Sequence, residues 1–198
     1  MTKNEPSPTS ESLKFPFEKI PQRVFLDTNI VDCLVKWSTC IFEGEQPPSE
    51  LDATLLADIV SLTRIFFVGS RANWDIVVSH KTIAELSETP GDDLRNRLLT
   101  YGGDLAEYSM ANGIGHEDRK YASDFARRLV DSSFLAPLPD INDRELVAHA
   151  IALKCDTFCT RDRRSIHRKR QQLRSLRLQI LTPDEWWQHI RPWAALWI

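Results

Sequence analysis

Four short, mostly apolar runs in this chain each stop abruptly against a polar cluster, and helical periodicity fills the stretches between them. Val24-Phe-Leu runs into Asp27-Thr-Asn29, Trp74-Asp-Ile-Val-Val78 into Ser79, Thr157-Phe-Cys-Thr160 into Arg161-Asp162, and Leu178-Gln-Ile-Leu181 into Thr182-Pro183. Such a run, cut off by polar residues, reads as a buried strand ending at its carboxyl edge. Between the strands the spacing predicts helices. One follows Ile30 to Trp37, and another spans residues 51–67 with Leu55, Ile59, Leu62 and Phe66 on one face. A third runs over residues 79–88, capped by Ser79, and two more over 92–110 and 117–131 are separated by Asn112-Gly-Ile-Gly115. Asn142 with Glu145 reads as a capping box opening a helix over 143–154, and the basic segment from Ser165 reads as helical. Thr182-Pro-Asp-Glu185 opens the last helix with both an N-cap and an N1 proline. Strands alternating with helices imply βαβ units and a parallel sheet covered on both faces, so the fold class is α/β.

A chain of 198 residues, 42% of them hydrophobic, is enough for one domain with its own core. Residues 1–20, rich in Pro, Ser and Glu, read as a flexible tail that packs little, leaving residues 21–198 as a single domain. No apolar run approaches the roughly 18 residues that span a bilayer, and the N-terminus lacks the pattern of a signal peptide. The expectation is therefore a cytoplasmic protein with no membrane association. Cys33, Cys40, Cys155 and Cys159 fit no common zinc spacing and read as free thiols, most of them buried. Any metal chemistry must then use oxygen ligands.

Asp27 closes the first strand and Asp162 follows the third, while Asp143 opens the helix before that third strand and Glu85 lies on the helix after the second. In open parallel sheets, ligands bind outside the carboxyl ends of the strands, so these positions can meet at one edge. Two like charges about 4 Å apart repel by about 4 kcal/mol at an effective dielectric near 20. A divalent cation offsets that repulsion, and Mg²⁺ or Mn²⁺ prefers oxygen donors and retains water that it can activate. Each acid also has an ordinary reading. Asp27 can cap the following helix, and Glu85 can be a solvated helix residue, with Glu88 as its rival. Asp143 can serve the helix dipole, and Asp162 can pair with Arg161, Arg163 or Arg164.

Taken in order, these segments resemble the PIN-domain ribonucleases. Val24-Phe-Leu-Asp27-Thr28-Asn29 is similar to the family's opening strand, and Thr82-Ile-Ala-Glu85-Leu86 to its second acidic segment. Asp143-Arg-Glu-Leu-Val-Ala148-His-Ala150 resembles the helix carrying the third acid. Thr157-Phe-Cys-Thr160-Arg-Asp162 resembles the strand carrying the fourth, and Ile180-Leu-Thr-Pro-Asp-Glu-Trp186 the closing strand and helix. The resemblance spans residues 24–187 and implies a PIN-like three-layer α/β/α sandwich around a mainly parallel sheet. It further implies Mg²⁺- or Mn²⁺-dependent endonucleolytic cleavage of single-stranded RNA. Asp27, Glu85, Asp143 and Asp162 would be the metal-binding, catalytic acids, with Thr28, Asn29 and Thr160 orienting them. Compact toxins of the family are shorter, so residues around 41–73 and 91–131 read as helical insertions. A toxin role and a small antitoxin-like partner follow from the same resemblance; a homodimer is expected only if the C-terminal tryptophans form a dimer patch.

The net charge is −3, yet residues 161–177 hold eight Lys/Arg against one acid, a local +7 that leaves −10 on the rest. This strip reads either as a solvated helix face or as a phosphate-binding surface, with Arg161, Arg163, Arg164, Arg168, Lys169 and Arg170 nearest the fourth acid. His167 in the strip reads as exposed, with a phosphate contact as the alternative, and His149 as packed within its helix rather than catalytic. Trp186, Trp187, Trp193 and Trp197 read as the core of an edge helix, with base stacking or a dimer patch as the alternatives. No Gly-rich phosphate loop and no Gly-x-Ser-x-Gly elbow is present. Two other functions stay open: a non-catalytic PIN-like module that binds RNA or protein, and a phosphatase using Asp27 as nucleophile. The latter usually wants a second Asp where Asn29 stands.

Overall fold

The computed structural model describes residues 10–72, 74–111 and 116–196. A short helix α1 (Ser10–Lys14) and a 3-10 turn (Phe17–Lys19) precede β1 (Arg23–Leu26), α2 (Thr28–Lys36), α3 (Ser38–Phe42) and α4 (Ala53–Ala72). β2 (Asp75–Val77) is followed by four helices, α5 (His80–Ser87), α6 (Asp92–Ala111), α7 (His116–Val130) and α8 (Ile141–Ala152). β3 (Thr157–Cys159), α9 (Ile166–Lys169), β4 (Gln179–Leu181) and α10 (Pro183–Ile190) complete the order, with a 3-10 stretch over Arg191–Leu196.

The strands form one sheet in the order β2-β1-β3-β4, and every pair is parallel. Alternate residues supply two cores. Val24, Leu26, Ile76 and Cys159 face a cluster with α2, α4 and α10, while Phe25, Val77, Phe158 and Ile180 face one with α7 and α8. Register places Phe25 beside Phe158, and their rings stack 5.3 Å apart. Helices thus cover both faces of an α/β fold, an arrangement compatible with an α/β/α sandwich. Burial on both faces explains why the strands read as apolar runs rather than alternating ones. Because β2 lies on one side of β1 and β3 on the other, the chain's direction across the sheet reverses between them. Their carboxyl ends flank the crevice where such sheets place ligands.

The helix ends show where local chemistry prevails. Ser79 with Thr82 and Thr182 with Glu185 form capping boxes, the latter as expected. The cap of α8 is Asp140, which accepts from the Asn142 N–H at 2.8 Å, so Asn142 and Glu145 do not form the expected box. The basic segment is helical only over α9, four residues long, before it breaks into turns. The chain also packs earlier than the expected tail allows. Ile20 is buried, Phe15 and Phe17 lie against His189 and Trp193, and the Trp193 Nε1 donates to the Phe15 carbonyl at 2.8 Å. Residues 1–9, the turn expected at 112–115 and Trp197 lie outside the described residues. Trp186 is fully buried against Trp74, in keeping with core packing. All four cysteines are free and buried.

Helix α4 changes one expectation. Its 20 residues are long and apolar enough, by length and composition, to cross a membrane, although no unbroken apolar run is. Here α4 lies against α3 and α10 and turns Ile59, Leu62, Ile65 and Val68 inward, together with Asp58.

Candidate functional site

Asp27 is the first residue beyond β1 and the N-cap of α2, so the capping reading and the site reading describe one residue. Its side chain is 3% exposed and saturated with neutral donors. Thr28 N–H donates to Oδ1 at 2.7 Å, while Asn29 Nδ2 and the Thr160 hydroxyl donate to Oδ2 at 2.6 and 2.5 Å. Asn29 also accepts from the Arg161 N–H at 2.8 Å, tying the end of β1 to the turn after β3. Thr28 points the other way, donating to Glu85 Oε2 at 2.5 Å. The three residues expected to orient the acids therefore all contact them.

Asp143 and Asp162 are joined through a residue absent from the sequence expectations. The Ser165 hydroxyl lies 2.7 Å from Asp143 Oδ2 and also within hydrogen-bonding reach of Asp162 Oδ2. Asp162 Oδ1 accepts from the backbone N–H groups of Arg164 and Ser165 at 2.8 and 2.9 Å, and its own N–H donates to Thr160 Oγ1 at 2.8 Å. An acid whose side chain accepts from backbone N–H groups two and three residues on is a local turn signal, and the Asp162-x-x-Ser165 spacing was visible in the sequence.

The electrostatics show that the four acids share one region. Burial pushes the Asp27 carboxyl up to about 7; the Thr160 and Thr28 hydrogen bonds oppose the rise, and the charges of Glu85 and Asp143 add to it. Burial also raises Glu85, which feels Asp143, and raises Asp143, which feels Asp162. Asp162 goes the other way: burial would raise it, but the hydrogen bonds from Ser165 and Arg164 hold it below the usual carboxylate range. Among the described residues, the one cation paired with these acids is Lys81, 3.7 Å from Glu85 Oε1 and also bonded to Glu145 at 2.8 Å and to Asn142 Oδ1 at 2.7 Å.

Whether a divalent cation suits this region turns on the donors. They are carboxylate and hydroxyl oxygens, the hard ligands that Mg²⁺ and Mn²⁺ prefer. Glu85 Oε1 is buried without a hydrogen-bond partner, an acceptor left over once the protein's own donors are used. Among the described residues, however, no three acid, histidine or cysteine side chains already converge on a common point. The carboxylates instead meet in pairs through Thr28, Asn29, Thr160 and Ser165. The set fits a cation that keeps several waters and takes few direct protein ligands, as Mg²⁺ does.

The basic strip divides. Arg163 forms a bidentate pair with Asp58, 2.9 and 2.7 Å, and Arg161 Nε donates to the same carboxylate at 3.2 Å. Arg170 pairs with Glu185 at 2.6 Å, and His167, expected to be exposed, lies 2.8 Å from the same carboxylate. The heads of Arg161, Arg163 and Arg170 are thus committed within the protein, leaving Arg164, Arg168 and Lys169 without an ion-pair partner among the described residues. Asp58 is the second residue missed. Its signal was its position, an acid three residues after Leu55 and four before Leu62, on the stripe that faces the core.

Comparison with protein-family models, with curated proteins and with solved structures found no match in any of the three.

Proposed function

We propose that this chain is a divalent-metal-dependent endoribonuclease of the PIN type, cutting single-stranded RNA at the crevice between β1 and β3. The observation that carries the reading is that Asp27, Glu85, Asp143 and Asp162 stand within electrostatic reach of one another, linked in pairs through Thr28, Thr160 and Ser165 and answered mainly by neutral donors. A protein that gathers four such charges against a single paired lysine among the described residues bears a repulsion that a bound ion relieves. The ordered resemblance of the same four segments to PIN domains supports the same assignment.

When bound, Mg²⁺ or Mn²⁺ supplies a Lewis acid for the phosphodiester and an activated water. Asp27, Glu85, Asp143 and Asp162 hold the ion, directly or through its waters. Thr160 and Asn29 fix the Asp27 carboxylate from the β3 and α2 sides, and Thr28 fixes Glu85. Ser165 sets the orientation of Asp143 against Asp162. Outer groups of this kind are worth about 10–100-fold in metal affinity or activity. Arg164, Arg168 and Lys169, close after Asp162 in the chain and without an ion-pair partner among the described residues, hold phosphates flanking the cut. A small antitoxin-like protein partner belongs to the same proposal.

The test is cleavage of a single-stranded RNA with Mn²⁺, with chelator, and with Asp27→Asn. Activity is expected with Mn²⁺ alone, and Asp27→Asn is expected to lower it by at least about a hundredfold, beyond the loss of an outer group. Equal cleavage under all three conditions excludes the assignment.

A further inference from the structure

Two histidines lie beside the acidic site and take no part in it. His80 opens α5 and His149 sits near the end of α8, and their rings meet edge to face with centroids 4.5 Å apart at 90°. His149 is only 7% exposed, yet no group among the described residues hydrogen-bonds its ring nitrogens. Those nitrogens are not shut away from solvent, so they are open to a ligand.

Its ring lines open space. Two adjoining cavities, of about 330 Å³ and about 380 Å³, share His80, Ser123 and His149 as a common wall, so together they form a groove between α7 and the α5/α8 pair. Each alone falls within the roughly 300–1,000 Å³ of small-ligand clefts. The groove also borders the acids. Lys81 lines it and reaches both Glu85 and Asn142, the neighbour of Asp143.

We propose that this groove is a nucleobase subsite, in which the His80 and His149 rings hold one base of a single-stranded RNA whose backbone crosses the acidic site. The inference rests on the nuclease reading for its substrate and extends it to a place where the strand is gripped. Its wall chemistry favours a base over a bare phosphate. Burial, and then the nearby His80, hold His149 down to about 4, and burial followed by Arg119 also lowers His80. At neutral pH both rings are uncharged, with flat faces and hydrogen-bonding edges. Glu145 and Asp131 on the same wall oppose a bare phosphate there. Lys120 and Arg127, exposed on α7, stand at the rim where flanking phosphates would run. Neutral rings for the base with cations for the backbone are the usual means of holding single strands.

The experiment is an NMR titration of the metal-free full chain at pH 7, reading the histidine ring protons. The probes are adenosine 5′-monophosphate, uridine 5′-monophosphate and, as a control without a base, ribose 5-phosphate. The nucleotides are expected to shift His80 and His149 while ribose 5-phosphate does not. His80→Ala, an exposed position that the fold tolerates, is expected to weaken nucleotide binding about fivefold or more. Equal shifts with ribose 5-phosphate, or none with either nucleotide, overturn the subsite. Unchanged affinity in His80→Ala does the same. Wild-type protein that cleaves RNA with Mn²⁺ but shows no groove shift sinks the subsite alone. Groove shifts in a wild-type protein that never cleaves RNA with Mn²⁺ sink the nuclease reading alone.

Discussion

Asp27 and Asp58 are both buried beside the turn that follows β3, yet one is surrounded by neutral donors and the other by cations. Asp58, with no exposed surface, meets the guanidiniums of Arg161 and Arg163. Asp27, 3% exposed, meets a threonine, an asparagine and a backbone N–H, with Glu85 and Asp143 adding negative charge. A buried charge is tolerated when it is paired, and Asp58 is paired. The same physics leaves Asp27 in deficit. The difference separates a carboxylate that the protein's own cations neutralise from one held only by neutral donors. The two are also linked, because the arginines that satisfy Asp58 flank Asp162 in the chain and so position the turn that carries it.

The largest effect is expected from breaking the paired side. Asp58→Ala strands two arginines against the core, and removing one partner of a buried ion pair costs about 3–5 kcal/mol. Both guanidiniums are partly exposed, 25% and 33%, which favours the lower end of that range. Chemical denaturation measures it, and a loss below about 1 kcal/mol would remove Asp58 as an anchor of the loop.

The unpaired side should show itself in pH dependence. Asp27 has its carboxyl raised from 3.8 to about 7 by burial and its acidic neighbours, so in the metal-free protein folding takes up a proton between those values. The folded state then binds more protons than the unfolded one, and stability falls as pH rises from about 4 to about 7, levelling off above. The change should be on the order of a few kcal/mol, and Asp27→Asn should flatten it. Denaturation midpoints across that window check the sign; a rise with pH in both proteins contradicts the account.

Much of this was legible before the fold was known, and for local reasons. The strand ends announced themselves because a doubly covered sheet requires apolar strands and a polar stop at each edge, which put Asp27 and Asp162 at the rim. What was not legible depended on pairing across distance. Asp58 lies 103 residues from Arg161, and no local rule joins an acid in an apolar helix to two arginines in a basic turn. The basic strip therefore read as one surface, although Asp58 and Glu185 take three of its cations inward. The cap of α8 was misplaced because Asp140 and Asn142 are both good cap residues two positions apart, and only the backbone decides between them. The His80–His149 contact likewise needs α5 and α8 side by side.

A smaller effect tests the donors around Asp27. Thr160→Val removes the hydroxyl that bridges Asp27 and the Asp162 backbone while keeping the shape of a buried side chain. The expected loss is about 10–100-fold in Mn²⁺ affinity and activity, with the fold retained. Unchanged Mn²⁺ affinity would reduce Thr160 to packing.

The most direct measurement is Mn²⁺ binding itself, followed by calorimetry at pH 7.5 in wild type, Asp27→Asn, Asp143→Asn and Asp58→Asn. A saturable site in wild type that is lost in the Asp27 and Asp143 variants, but present in any Asp58 variant that folds, is the predicted result. Equal binding by wild type and Asp27→Asn would contradict it.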